Sequence, residues 1–213
     1  MRRARAILGV VVGAALSACG GGSSSQVSID GGSSDGGSSD GGSRGNSIDG
    51  RIRGQGFAIQ DAISASVLPD ASGRRGDFGI VQLTSTPGAC DDGKNDITRP
   101  SEKVVNIEVF DWNGSSKPPS APGTYTVVDV FTGTPVPKTA HWYMNASDAV
   151  CKYSASDSAT AESGSVTLTV VDGDRFSGTF DVTLDTGERV TGSFDPQPCP
   201  AGFHFGIPAP TCM

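Results

Sequence analysis

Histidine is nearly missing from this chain: 213 residues contain two, His141 and His204. None of the five cysteines forms a C-x-x-C, so zinc binding and thioredoxin-like redox chemistry both find little support. A basic cluster is lacking as well. The net charge is −7, and no cluster of Lys or Arg follows Arg2, Arg3 and Arg5, which argues against nucleic acid or anionic lipid headgroups as partners. Long hydrophobic runs are absent too. The apolar run Ile7 to Leu16 would rise only about 15 Å as a helix, roughly half the hydrocarbon thickness, so it is no transmembrane anchor. No amphipathic helical run of ten residues appears after it.

What is there begins with an export signal. Arg2, Arg3 and Arg5 make a positive n-region, Ile7 to Leu16 an apolar h-region, and Leu16-Ser17-Ala18-Cys19 resembles a bacterial lipobox. The resemblance implies that Cys19 is diacylated on sulfur, becomes the first residue after cleavage and is acylated on its new amine. Several buried acyl chains, at about 0.8 kcal/mol per CH₂, hold far more firmly than one. Arg2-Arg3 lacks the polar and bulky residues of a twin-arginine signal. Loss of residues 1–18 removes three arginines and no acids, so −7 becomes −10.

Past Cys19 the composition shifts to Gly, Ser and Asp, with Asp-Gly-Gly-Ser-Ser recurring from Asp30 and Asp35 and truncated at Asp40. Such a stretch buries too little apolar surface to offset ordering entropy, so residues 19–50 are expected to be a disordered tether. At that length it forms a coil of roughly 30 Å and reaches about 100 Å when taut. A calcium β-roll needs a nonapeptide period with an apolar position, which this repeat lacks. Gly41-Gly42-Ser43-Arg44-Gly45 matches G-x-S-x-G by chance, having neither a strand before it nor a helix after it.

Residues 51–213 are expected to form one all-β globular domain. Val166, Leu168 and Val170 alternate with threonines, and Phe176, Phe180, Val182 and Leu184 alternate with Ser177, Thr179, Asp181 and Thr183. Period two predicts strands with one buried face. Three-residue loops at Asp172-Gly173-Asp174 and Thr186-Gly187-Glu188 would set Val170 opposite Phe176, Val166 opposite Phe180, Leu184 opposite Val190 and Phe180 opposite Phe194. Gly178 and Gly192 fall on the apolar face, where a bend filled by Trp112 or Trp142, or else a ligand, would lie against them. Earlier alternation over Phe57 to Val67 and Val105 to Val109, the β-rich stretch Phe78 to Thr84, and the stretches Tyr125 to Phe131 and Ala140 to Met144 bring the count to eight or nine strands. This predicts an antiparallel β-sandwich or a partly open β-barrel, with a C-terminal three-strand meander. Long loops over 85–103 and 145–164 favour the sandwich.

With Cys19 lipidated, Cys90, Cys151, Cys199 and Cys212 remain, an even number in an oxidising envelope, and two disulfides are expected in one of three connectivities. Cys199 with Cys212 would close the Pro-rich tail, leaving Cys90 with Cys151. Gly88 to Asn95 comes one residue short of a Walker A loop, but Asn95 stands where Ser or Thr should hold magnesium, and Asp91 and Asp92 would repel phosphate. Asp91, Asp92, Asn95 and Asp96 could instead ligate calcium, although turns gather such residues by default. His141 or His204 could act as a general base, yet no nucleophile partner is recognisable. No catalytic residue, metal or cofactor is assigned.

The lipobox, the tether and a β domain ending in paired Gly-[Ser/Thr]-Phe-Asp strings, at Gly178 to Asp181 and Gly192 to Asp195, resemble envelope lipoproteins of Gram-negative bacteria, myxobacterial ones in particular. The resemblance implies location and no activity. Gly20, where inner-membrane retention would want Asp, implies the outer membrane. The expected function is a non-enzymatic structural or protein-binding module held to the membrane through Cys19, with an envelope protein as partner. The alternatives are a carrier of a small apolar ligand inside a barrel, and a hydrolase using His141.

Overall fold

Alternating side chains build most of the molecule. The structure is a computed structural model and describes residues 45–67, 77–129, 131–199 and 211–213. Cys19 with its lipobox, the repeats at Asp30 to Asp40 and His204 lie outside the described residues. Eight strands are five residues or longer: β2 (Asp61–Val67), β3 (Phe78–Thr84), β5 (Lys103–Trp112), β7 (Gly123–Val127), β8 (Lys138–Ala146), β9 (Ala159–Asp172), β10 (Arg175–Leu184) and β11 (Arg189–Phe194). Shorter ones are β1 (Ser47–Asp49), β4 (Ile97–Thr98), β6 (Ser116–Lys117), β12 (Gln197–Pro198) and β13 (Thr211–Cys212), and one helix, α1 (Ala89–Asn95), completes the set among the described residues. The strand β1 takes residues from the end of the stretch expected to be tether into the sheet.

The fold is all-β, and its sheet is continuous. The ladder runs in the order β1-β11-β10-β9-β7-β8-β5-β3-β2-β12, with β6 added to β5 and a separate pair β13-β4. The sandwich reading is therefore replaced by its alternative, a sheet curled into a partly open barrel. Loop length misled because residues 85–102 do not cross between sheets; they fold into α1, which lies beside β2, and β4, which lies beside α1. Where the curl brings β10 round to β2, side chains replace a ladder. The Phe176 amide donates to Ser64 Oγ at 3.3 Å, and the Ser66 amide donates to Asp174 Oδ1 at 2.9 Å. On its other side β2 meets β12, and the Cys199 amide donates to the Ser64 carbonyl at 2.7 Å. An exposed row of backbone groups is thereby covered.

One large core fills the concave side. Trp142, Tyr125, Phe176, Phe194, Leu83 and Ile107 are each less than 2% exposed. The alternation in β2 has the opposite sense: Ile63, Ala65 and Val67 point away from that core, Ile63 packing with Ala89 and Cys199 and the other two with Ile80. Period two says that one face is apolar but not which one. The inward positions of β2 are small, Ala62 and Ser64, and Gly79 on β3 lies so close to the Phe176 ring that a Cβ there would approach it to 2.8 Å.

The meander keeps its faces except at Val170 and Val171, while changing its loops. Between β9 and β10 the loop has two residues, Gly173 and Asp174, which pairs Phe176 with Val171 rather than Val170. A bulge at Thr169 then restores the expected pairing of Phe180 with Val166, and the Thr169 hydroxyl donates to the Ser177 carbonyl. Between β10 and β11 the loop is Asp185-Thr186-Gly187, one residue earlier than expected, with Gly187 at φ 81°. Val190 therefore faces Val182 rather than Leu184, and Phe180 faces Gly192 rather than Phe194. That displacement is two residues, an even number, so the side chains of β10 and β11 stay on their predicted faces, whereas the bulge at Thr169 puts Val171 in place of Val170 on the core side of β9. The outer face carries a registered row of hydroxyls across five strands: Ser47, Ser193, Thr179, Thr167 and Thr124. The expected strand Tyr125 to Phe131 ends at Val127. Asp129 there accepts the amides of Phe131 and Thr132 and turns the chain, leaving Phe131 83% exposed.

The two disulfides are Cys90–Cys199 and Cys151–Cys212, each with Cα atoms 5.6 Å apart, which corrects the expected connectivity. The strand β12 carries Cys199 onto β2 beside α1, where Cys90 sits. The strand β13 pairs with β4, and Cys151 Sγ lies 3.3 Å from the Thr98 carbonyl of that strand. Strand pairing decides which cysteines come within bridging distance, and chain proximity does not.

Candidate functional site

His141 lies on β8, whose inward residues Ala140, Trp142 and Met144 belong to the core, so His141 and Tyr143 point to the outer face. On β5 the inward residues are Val105, Ile107 and Val109, which turns Asn106, Glu108 and Phe110 outward. Register does the rest. Glu108 stands opposite His141 and Asn106 opposite Tyr143, while Asn106 also faces Gln82 of β3.

These placements bring four polar side chains and one charge together. Glu108 Oε2 lies 3.1 Å from His141 Nδ1, and Glu108 Oε1 accepts the Tyr143 hydroxyl at 2.7 Å. Gln82 Nε2 donates to Asn106 Oδ1 at 2.8 Å. The His141 and Glu108 side chains are only 16% and 13% exposed, and Phe110 meets the imidazole edge-on with centroids 5.3 Å apart. Nearby, the Thr132 hydroxyl and amide hold the Asp129 carboxyl below the usual carboxylate range, with the Phe131 amide and His141 adding to the effect.

When the imidazole is neutral, an ionised Glu108 favours the proton on Nδ1 and leaves the lone pair on Nε2. A carboxylate-oriented imidazole of this kind is half of a general-base device. The other half is a nucleophile. The only hydrogen-bond or ion-pair partner of His141 among the described residues is Glu108, so no hydroxyl or thiol is poised for activation. The arrangement is a cross-strand polar clamp on the outer face of the sheet.

The other residues singled out in the sequence are placed as follows. Gly88 to Asn95 forms the cap and body of α1, and Asp61 Oδ2 accepts the Gly88 and Ala89 amides at 2.9 and 3.0 Å, so those amides are not open to a phosphate. Asp92 is taken up by an ion pair within the chain. Its carboxylate receives Arg99 through two hydrogen bonds, at 2.5 and 2.8 Å, and the Asn95 amide donates to the Asp91 carbonyl. Among the described residues no group of three or more His, Cys, Asp or Glu side chains is arranged to hold a metal. Gly192 is covered by the Phe180 ring, which itself packs on Trp142 with centroids 5.9 Å apart, and Gly178 abuts the Thr167 carbonyl. Trp112 is 36% exposed at the end of β5 and takes no part in filling that space.

No family model matches the chain. The same holds for curated proteins and for solved structures, where neither comparison finds a match. The site therefore rests on its own geometry. Sequence reading found His141 but missed Glu108, Asn106 and Gln82, whose signal was available: each alternates with core residues on a strand next to β8 or one strand further on.

Proposed function

We infer that this chain is a lipid-anchored envelope protein, held through Cys19 and a Gly/Ser/Asp tether, whose β domain serves as a non-enzymatic structural or protein-binding module of the outer membrane. One observation carries the choice of module over carrier: the concave side of the sheet is occupied by its own large side chains, Trp142, Tyr125, Phe176, Phe180 and Phe194. A carrier needs that volume for its ligand. The outer faces are what remain to meet a partner, and among the described residues no nucleophile is bonded to His141, which supports a role without catalysis.

A second reading has one observation in its favour. Trp142 Nε1 is buried without a hydrogen-bond partner, and a ligand bearing an acceptor would satisfy it. Native mass spectrometry of the purified full chain separates the two readings. A mass equal to polypeptide plus acyl groups supports the module, and a retained small molecule supports the carrier. For the anchor, a palmitate analogue should label the wild type and leave Cys19→Ala unlabelled. Equal labelling of both would remove Cys19 from the account.

A further inference from the structure

The two disulfides differ in access and in what holds their ends. Cys199 is 1% exposed and packs with Ile63, Ala89 and the half-buried Cys90 in a small apolar cluster, so neither end of this bond is an exposed residue. Both of its attachments survive without the bond: the Cys199 amide donates to Ser64, and α1 is held by Asp61 and by the Asp92 to Arg99 pair. Cys212 is exposed while its partner Cys151 is 8% exposed, and their chain neighbours Val150, Tyr153 and Met213 are exposed by 64%, 64% and 65%. Among the described residues its strand β13 is held by two ladder positions on β4, through the Thr211 and Met213 amides. Cys151 has φ 59°, a left-handed conformation that costs a non-glycine residue energy, in a turn whose Val150 and Lys152 amides are fixed by Asp148.

We propose that Cys151–Cys212 is a thiol-exchange site, the bond at which a dithiol reductant acts on this chain, and that Cys90–Cys199 is a permanent staple. A thiolate of the dithiol attacks Sγ of Cys212, the exposed residue of the pair; the new S–S bond forms there, and Cys151 leaves as a thiolate that takes up a proton. The second thiol of the reductant then attacks its own sulfur in the mixed disulfide, expelling the Cys212 thiolate. The dithiol is oxidised to a disulfide, and the protein bond is reduced to two thiols. Opening frees Thr211–Met213 from covalent attachment to the 147–153 turn and leaves the sheet, which contains neither partner, in place.

Dithiothreitol added to the native full chain, followed by iodoacetamide quenching and peptide mapping, tests the assignment. Cys151 and Cys212 should be alkylated at least about tenfold faster than Cys90 and Cys199, with the near-ultraviolet circular dichroism kept during the fast phase. A Cys151→Ser/Cys212→Ser double variant should fold and show the slow phase alone. Equal rates, faster labelling of Cys90 and Cys199, loss of dichroism in step with the fast phase, or a double variant that fails to fold would each overturn the proposal.

Discussion

Phe180 sits where three strands meet. It faces Val166 on β9 and Gly192 on β11, its ring touches Trp142, and it is 3% exposed. Its neighbour Thr179 points to water in the hydroxyl row. Truncating a buried phenylalanine typically costs about 3 to 5 kcal/mol, most of a domain's margin, whereas a surface threonine costs under about 0.5 kcal/mol. Urea unfolding should therefore place Phe180→Ala far below Thr179→Ala in midpoint. The reverse order would mean that the faces of the meander are assigned backwards. Gly192 carries the same information from the other side. A Cβ there would reach the Phe180 ring and the Ser47 carbonyl, so no side chain fits while that ring fills the space.

At the scale of elements, parity was legible in the sequence and position was not. Alternation placed β5 and the meander strands, because a strand with one wet face must alternate wherever the core lies, while β-rich composition placed β3. It could not say that β2 turns its larger apolar side chains away from the main core, since that depends on what packs against each face. Both meander loops differ from expectation for a related reason. Gly173 and Gly187 were found, but whether the loop begins before or after a given polar residue turns on backbone hydrogen bonds, and the bulge at Thr169 absorbs the difference. The helix α1 left no periodic trace because it is seven residues long and its N-terminus is satisfied from another element. Asp61 on β2 accepts the Gly88, Ala89 and Ala62 amides. Removing a capping carboxylate costs about 0.5 to 2 kcal/mol, so Asp61→Ala should lower the urea midpoint, with Asp61→Asn between it and the wild type. A midpoint unchanged in Asp61→Ala would show that the Cys90–Cys199 bond alone seats the helix.

Across the whole molecule the acidic balance has a structural counterpart, since carboxylates tie the outer surface together at several points. The hydroxyl of Thr186 and the Gly54 and Arg53 amides hold Glu188 below its usual range, which pins the segment after β1 to the β10–β11 turn. The Ser177 hydroxyl and the Arg175 guanidinium lower Asp195, joining β10 to the end of β11. Arg189 lowers Asp181, and the Lys152 and Val150 amides lower Asp148 in the turn that carries Cys151. A carboxyl depressed in the folded state adds stability that is complete above its unfolded value, about 3.9 for Asp and 4.3 for Glu, and is lost as pH falls through the folded value. Several such groups act in one direction, so the urea midpoint should drop as pH is lowered below about 4. Glu188→Gln should shrink that drop, because an amide cannot lose a charge it never carried. A wild-type midpoint that stayed level or rose between about pH 5 and pH 2 would mean that these surface contacts contribute nothing to holding the sheet and its N-terminal segment together.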